Sequence, residues 1–384
     1  MAFADELAAL NESYFFSEFT YSRNTFRPIA GQEVELADSL IWLGNSLIAF
    51  QLKERTAIAG ATAETEKSWF EKKVLGLATR QIRDTINYLS ANKNIEVQNH
   101  RNHTFTLSFE QVSELHKLIV YSPQLELPAE CRRIKHHWSR TAGIIHIISA
   151  HDYLGIIRTL LTPAEVVEYL SFREQLIDRW EIDVVAVPEP ALVGQYILGD
   201  INARPSVEHI EYLKQLEHQA DEWDMSGVIA KFPDRVTTDN APTDYYPIVR
   251  ELALLKRNEL REFKKRFQLS LQKTREDVFV RPYRIAVPRT ECGFVFVPVT
   301  RELLQHRRTG LQNFTLAHKY EQRLPRCIGL SIAEGEGGWF SVEWCYIESE
   351  WEEDAQMEHM LEANSPFRDV AVSELPRYTF REND

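Results

Sequence analysis

The chain has 384 residues, of which 44% are hydrophobic, 26% charged and 11% aromatic, and its formal net charge is -13. This length exceeds what one hydrophobic core usually holds, and the composition excludes a collagen-like, low-complexity or largely disordered protein. No apolar run reaches the roughly 18 residues that cross a bilayer, and Asp5 and Glu6 stand where a signal peptide is basic. We therefore expect a cytoplasmic globular protein of two domains with no membrane partner.

The first third of the chain predicts helices packed on a sheet. Residues 3–20 carry apolar side chains at helical spacing, which indicates an amphipathic helix. Two strand-length apolar runs follow and meet at Gly44 and Asn45, which predicts a β-hairpin. From 64 to 89 the apolar positions recur every 3.6 residues, which predicts a helix long enough to cover one sheet face. Residues 94–108 predict two short strands that enlarge this sheet.

The next segments complete a first domain over residues 1–180. Residues 115–122 and 142–150 have the continuous apolar runs of strands buried on both faces. Helices are expected at 154–161 and 163–178, the second with Thr162 as its N-cap and Pro163 at its first position. The pattern thus favours an α/β domain with a mixed sheet between helices.

The remainder predicts a connecting region and a second domain. Residues 181–247 are rich in proline, aspartate and asparagine around one helix at 206–223, as expected of a connection. Residues 248–384 predict a long helix at 248–272, four strands between 278 and 347, and a helix at 351–363. We expect an α+β domain with an acidic C-terminal part, suited to recognition or partner binding.

The charge is unevenly distributed along the sequence. Residues 334–384 hold 14 acidic residues and three arginines, so they carry -11 of the net charge. The rest is nearly balanced, so nucleic-acid binding is not excluded by the total charge. Two stretches lean basic: residues 250–281, and a shorter one that contains Arg132, Arg133, Lys135 and Arg140. Both could follow phosphates, although a solvated surface with local ion pairs is the more ordinary interpretation.

Several other polar groups favour structural interpretations. The four cysteines lack CxxC spacing and nearby histidine spacing, which indicates buried thiols rather than a zinc site. His146, His151 and Asp152 could suggest a relay or a metal site, but no nucleophile motif accompanies them. His146 lies in an apolar run, where a packed core histidine is the better interpretation.

The hairpin contains the residues with the clearest chemical potential. Asp38 stands on its first strand, and Gln51 follows thirteen residues later on the second, with Lys53 beyond it. Strand alternation puts Gln51 and Lys53 on one face. An acid, an amide and the Leu52 carbonyl supply hard oxygen ligands for Mg²⁺, and a nearby ammonium can orient water or offset charge on a phosphate. These are the groups that metal-assisted phosphodiester cleavage requires.

The Asp38 and Gln51-x-Lys53 arrangement, with a helix on each side in sequence, resembles the PD-(D/E)XK nuclease superfamily, in the glutamine variant of the Mrr-type restriction endonucleases. The resemblance covers about residues 1–180 and implies that Asp38 and Gln51 bind Mg²⁺, with Mn²⁺ as a substitute, and that Lys53 assists the nucleophile. It further implies a metal-binding glutamate on the first helix, Glu12 or secondly Glu18, and a supporting Gln81. Ala37 replaces the proline that usually precedes the metal-binding aspartate.

The sequence therefore predicts a restriction-endonuclease-like α/β domain followed by an α+β domain. The predicted activity is Mg²⁺-dependent endonucleolytic cleavage of DNA, and the resemblance implies a restriction or phage-defence setting in bacteria. The alternative is a non-catalytic sensor or assembly subunit that has kept the fold. RNA remains open as a substrate, and the partner is either a second copy of the chain or a protein bound by the C-terminal domain.

Overall fold

The computed structural model describes residues 3–22, 25–26, 34–237, 241–368 and 374–381. It divides into two compact units, Met1–Glu217 with Phe380–Asp384, and His218–Thr379. The segment predicted as a connection, 181–247, is thus split between the two units.

The first unit is built on a mixed six-stranded sheet in the order β1-β4-β5-β8-β10-β9. Strands β5, β8 and β10 are parallel, and the other neighbours are antiparallel. The strands of this unit are β1 (Thr20–Ser22), β2 (Thr25–Phe26), β3 (Val34–Glu35), β4 (Ser39–Leu43), β5 (Ser46–Glu54), β6 (Asn94–Gln98), β7 (Thr104–Ser108), β8 (Glu114–Ser122), β9 (His136–Ser139) and β10 (Gly143–Ser149).

Helices lie on both faces of this sheet. The helices are α1 (Phe3–Tyr14), α2 (Ala63–Trp69), α3 (Thr79–Ala91), α4 (Ala129–Arg132), α5 (Ala150–Leu160), α6 (Pro163–Ala186), α7 (Glu189–Leu198) and α8 (Ile210–Gln215), with a π-helical segment, Phe70–Ala78, joining α2 to α3 and a 3₁₀ turn at Val207–His209. The face that carries Ala49 and Ile119, here called the α3 face, packs against the continuous helix over residues 63–91. The opposite face, here called the α6 face, packs against α1, α5 and α6, as the contact of Phe50 with Tyr153 shows.

The hairpin and its helices form for local reasons that the sequence contains. Gly44 adopts a positive φ of 61° in the tight turn between β4 and β5, where glycine has no steric penalty. Thr162 caps α6 by accepting a hydrogen bond from the Glu165 backbone, and Pro163 takes the first helical position. Strands β8 and β10 are buried along their centres, as their apolar runs predict.

Several predicted elements differ from the structure. Helix α1 ends at Tyr14, and Phe16 then takes a positive φ of 64° that turns the chain toward β1. Strands β6 and β7 form a separate two-stranded sheet and do not enlarge the main one. Helix α6 runs to Ala186 but leaves the helical conformation at Trp180, two residues after the predicted end at 178. The helix expected at 206–223 is interrupted after Gln215, where Leu216 leaves the helical conformation.

The second unit contains a four-stranded sheet in the order β11-β12-β13-β14, with a parallel central pair and antiparallel edges. Its elements are α9 (Ala220–Trp223), α10 (Ser226–Ile229), α11 (Phe232–Arg235), α12 (Tyr246–Ala253), α13 (Arg257–Arg275), β11 (Tyr283–Val287), β12 (Cys292–Pro298), α14 (Arg307–Glu321), β13 (Arg326–Glu334), β14 (Phe340–Glu348) and α15 (Ala355–Asn364). The predicted helix at 248–272 is two helices, because Glu259 caps the Lys256 backbone and starts α13 anew. Helix α14 was not predicted.

The four cysteines are unpaired, and three of them are buried. Within the part of the chain that the structure describes, no helix combines the length and apolarity that a membrane span needs.

Candidate metal-binding and catalytic site

The β4–β5 hairpin brings the two ends of the predicted motif together. Ser39 pairs with Phe50, so the same register places Asp38, directly before β4, opposite Gln51. The Leu52 backbone N–H donates a 2.6 Å hydrogen bond to Asp38 Oδ2. This bond holds the Asp38 carboxylate beside β5. The carboxylate lies near the carboxyl end of β5, which is level with the carboxyl end of the parallel strand β8.

Three oxygen atoms surround the ammonium of Lys53. Its Nζ lies 3.4 Å from Asp38 Oδ2, 3.2 Å from Gln51 Oε1 and 2.9 Å from the Leu52 carbonyl oxygen. The Gln51 residue is only 3% exposed, and the side chains of Lys53 and Asp38 are 13% and 25% exposed. The structure therefore brings Asp38, Gln51 and Lys53 together at one point, and their catalytic role stays a prediction.

The donor set of this cluster fits a hard divalent cation. A carboxylate, an amide oxygen and a backbone carbonyl are ligands that Mg²⁺ accepts, and here they already converge on one positive charge. Asp38 Oδ1 accepts no hydrogen bond from any residue that the structure describes, so one carboxylate oxygen stays available. Asp38, Gln51 and Leu52 are the residues that would hold the ion.

Gln81 lies on the helix that packs beside Asp38. Thr85, one turn after Gln81, hydrogen-bonds the carbonyl of Leu36, two residues before Asp38, and also the carbonyl of Gln81. The side-chain oxygen of Gln81 is buried and has no hydrogen-bond partner among the described residues. The preceding π-helical segment shifts the helical register, a feature often found near functional sites. The predicted supporting role of Gln81 remains a prediction.

The two candidate glutamates are engaged elsewhere. Glu12 pairs with His100 Nε2 at 2.7 Å, and Glu18 pairs with Arg101 at 3.1 Å. Burial raises the pKa of Glu12, and the neighbouring His100 partly opposes this rise. Within the described chain, Glu12 forms no hydrogen bond or ion pair with Asp38. The turn between β6 and β7 therefore anchors α1. Among the described residues, the cluster around Lys53 contains one carboxylate, that of Asp38.

The four predicted DNA-binding residues do not form a single patch. Arg132 and Arg133 are exposed beside α4, and Arg132 pairs with Glu126 at 2.8 Å. Lys135 is buried against Glu189, with Nζ 3.2 Å from Oε2, so its charge is used inside the fold. Arg140 lies at the opposite end of β10, about 20 Å away for a six-residue stretch of strand.

A second polar cluster lies on the α6 face. His116 from β8, His146 from β10 and Glu174 from α6 each offer one ligand atom, and these atoms lie within 4.8 Å of one another. His146 Nε2 is 3.2 Å and His116 Nδ1 is 3.5 Å from Glu174 Oε1. This spacing is one that a metal ion could span.

The hydrogen bond on the other side of His146 argues for a structural role. Arg173 Nη1 lies 2.8 Å from His146 Nδ1. Because arginine only donates, Nδ1 must accept, and the proton of the neutral ring is then on Nε2, where it donates to Glu174. A protonated Nε2 cannot ligate a metal. Burial lowers the pKa of His146 to about 4, which keeps the ring neutral, as its interpretation as a core histidine predicted.

Arg173 joins this cluster to a buried ion-pair network. It donates to Glu189 at 2.7 and 3.1 Å, and Tyr169 donates to the same carboxylate at 2.6 Å. Although burial opposes ionisation, Arg173 and Lys135 hold the pKa of Glu189 well below its usual range. These residues lie far apart in sequence, and no local pattern indicated that they meet.

Comparison with known proteins gives no match to this chain among protein-family models, curated proteins or solved structures. The resemblance of Asp38, Gln51 and Lys53 to the PD-(D/E)XK motif therefore stays an expectation from the sequence.

Proposed function

We propose that this chain is a metal-dependent endonuclease that hydrolyses phosphodiester bonds of DNA on a restriction-endonuclease-like domain. The observation that carries the proposal is the convergence of the Asp38, Gln51 and Leu52 oxygens on the Lys53 ammonium within 3.4 Å. Partly buried charges need partners or a use. This cluster lies near the carboxyl end of β5, where the side chains of Lys53 and Asp38 stay partly exposed.

Each residue has a task in that reaction. Asp38 and Gln51 would hold Mg²⁺ or Mn²⁺ together with the Leu52 carbonyl. When bound, such an ion polarises the phosphate and lowers the pKa of a coordinated water. Lys53 is placed to hydrogen-bond the attacking water or a phosphate oxygen, where its charge offsets the negative charge that develops in the transition state.

DNA is the proposed substrate, and bacterial restriction or phage defence the proposed setting, because of the motif resemblance. The exposed Arg132 and Arg133 beside β8 and β10 are the proposed backbone contacts. Cleavage of both strands by single sites favours a homodimer, and the acidic part of the second unit suits a protein partner.

A second candidate function follows from the pairing of Glu12 with His100. With one carboxylate in the cluster, the Lys53–Asp38 contact can serve as a structural ion pair in a non-catalytic sensor or assembly subunit. Such a subunit binds its partner without cutting.

Plasmid cleavage in Mg²⁺ distinguishes the two functions. We expect nicked and linear DNA from the wild type, and none from Lys53→Ala or Asp38→Asn. Lys93→Ala is the matched control, because Lys93 is an exposed lysine outside the cluster. Equal cutting by Lys53→Ala and the control would reject the nuclease proposal, and the absence of cutting in all proteins would favour the binding subunit.

A further inference from the structure

A cavity of about 680 Å³ lies beside the candidate nuclease site, at the carboxyl ends of β8 and β10. Its wall includes Tyr121 and Ser149, which pair with each other across the parallel strands. Tyr121 also pairs with Lys53 on the other side. Lys53, Tyr121 and Ser149 therefore form one row across three strands, with Cα spacing of about 4.8 Å per strand.

Tyr121 presents an unused hydroxyl at this cavity. The residue is 5% exposed, and its ring packs against Phe70 at 5.1 Å between centroids. Its hydroxyl makes no hydrogen bond with any described residue. Burial raises the pKa of Tyr121, so the hydroxyl is neutral and can both donate and accept. Tyr121 lines the cavity, and its hydroxyl oxygen is not one of the buried, unpartnered side-chain atoms of the described residues, so it is open to hydrogen bonding by water or by a ligand.

Among the charged side chains of the cavity wall that the structure describes, one cation has no ion-pair partner. Glu126 pairs with Arg132, Glu189 is neutralised by Lys135 and by Arg173 behind the wall, and Asp152 accepts a hydrogen bond from Ser149. Arg133 is exposed at the rim, and its guanidinium forms no ion pair or hydrogen bond with any residue that the structure describes. It is therefore available to a phosphate.

The rest of the wall is largely apolar. The branched aliphatic side chains that line the cavity are those of Leu127, Ile134, Ile147, Val185 and Val187. A volume of several hundred cubic ångströms with apolar walls and a few polar groups is typical of a site for a small planar or ring-containing ligand. A nucleobase has this character, with apolar faces and hydrogen-bonding edges.

We propose that this cavity receives one nucleotide of the substrate strand, extruded from the base stack. Its base lies against the aliphatic wall with an edge hydrogen-bonded to Tyr121, and its phosphate contacts Arg133. The row from Lys53 to Ser149 places this nucleotide next to the phosphate that the cluster attacks. The inference rests on the proposed function, and it adds a positioning pocket to the site.

Binding measurements test this pocket separately from cleavage. In a Lys53→Ala background, a fluorescent DNA duplex is titrated by anisotropy, and each deoxynucleoside monophosphate is titrated by calorimetry. We expect the monophosphates to bind and to be displaced by the duplex. Tyr121→Phe should weaken both ligands roughly two- to tenfold, the range for one hydrogen bond.

Arg133→Ala and Arg158→Ala form a matched pair, since both are exposed arginines but only Arg133 lines the cavity. Arg133→Ala should weaken DNA binding and reduce the slope of log K against log salt by about one. Arg158→Ala should change neither. Thermal unfolding of each variant reports whether it remains folded.

Two results would overturn the proposal. In the first, no monophosphate binds, and Tyr121→Phe and Arg133→Ala bind DNA like the control. In the second, the monophosphates bind but are not displaced by DNA, and DNA binding is unchanged in both variants, so that the cavity takes a free nucleotide. Failure of the proposed function looks different, because cutting is then absent from the wild type whatever these titrations show.

Discussion

The ammonium of Lys53 lies 3.4 Å from Asp38 Oδ2, although Asp38 directly precedes one strand and Lys53 lies on the next, on either side of a tight turn. The antiparallel register sets this distance, because Asp38 falls opposite Gln51 and Lys53 lies two residues beyond on the same face. The backbone pairing therefore holds Asp38, Gln51 and Lys53 beside one another.

Gln51→Glu should therefore strengthen the site. The variant adds a second carboxylate beside Asp38 with nearly the same shape, and hard divalent ions bind more tightly as ligand charge increases. We expect half-maximal DNA cleavage at a lower Mg²⁺ concentration than in the wild type. The matched change Gln111→Glu, at an exposed glutamine outside the cluster, separates this effect from a general increase in negative charge, and an unchanged Mg²⁺ dependence in Gln51→Glu would place Gln51 outside the metal site.

Divalent ions should stabilise the fold through Asp38. A ligand at a hundred times its Kd raises the free energy of unfolding by about 2.7 kcal/mol. Thermal unfolding with increasing Mn²⁺ should show a rising Tm in the wild type, and Asp38→Asn should abolish the rise. A rise that persists in Asp38→Asn would show that the ion binds elsewhere.

The α6-face cluster should not respond to zinc. Arg173 donates a hydrogen bond to His146 Nδ1, so Nε2 of the neutral His146 ring carries the proton and cannot bind a metal. Titration of an Asp38→Asn protein with Zn²⁺ should leave its Tm unchanged. If Zn²⁺ raises the Tm and His146→Gln removes the effect, the tautomer assignment is wrong.

Removing the charge of Arg173 should strongly destabilise the first unit. Arg173→Met leaves the buried carboxylate of Glu189 without its bidentate partner, and breaking a buried ion pair costs about 3–5 kcal/mol. Arg179→Met, an exposed position on the same helix, should cost within about 0.5 kcal/mol. Urea unfolding measures the stability of both variants. Similar midpoints would show that the Arg173–Glu189 ion pair does not stabilise the first unit.

Acid should destabilise the protein through His146. Its pKa is about 4 in the folded chain and 6.5 when unperturbed, so between these values only the unfolded chain binds the proton. Stability therefore falls as the pH falls from 6.5 to 4, by about 3 kcal/mol for this group. Urea midpoints across this range should show a steeper decline in the wild type than in His146→Gln, and parallel curves would contradict the prediction.

Local sequence patterns were enough to predict much of the secondary structure of the first unit. The Gly44 turn, the alternation in β5, the period of residues 64–89 and the Thr162 cap each act over a few residues, so the hairpin and its neighbouring helices could be predicted. The Asp38–Lys53 proximity followed from the hairpin alone.

Contacts between distant segments could not be predicted. The pairing of Glu12 with His100 depends on where the β6–β7 turn packs, and the burial of Lys135 depends on Glu189, 54 residues away. The helix break before α13 lies within a periodic apolar run, and its only sequence signal is Glu259 three residues after Lys256. The cavity beside Tyr121 is formed by β8, β10, α4 and the end of α6 together.

Anomalous scattering from a crystal grown with Mn²⁺ would locate the bound ion. We expect one Mn²⁺ peak at coordination distance from Asp38 and Gln51 Oε1, with Lys53 beside it. A peak at His116 and Glu174 instead, or no peak near Asp38 at saturating Mn²⁺, would contradict the assignment of this cluster as a metal-dependent catalytic site.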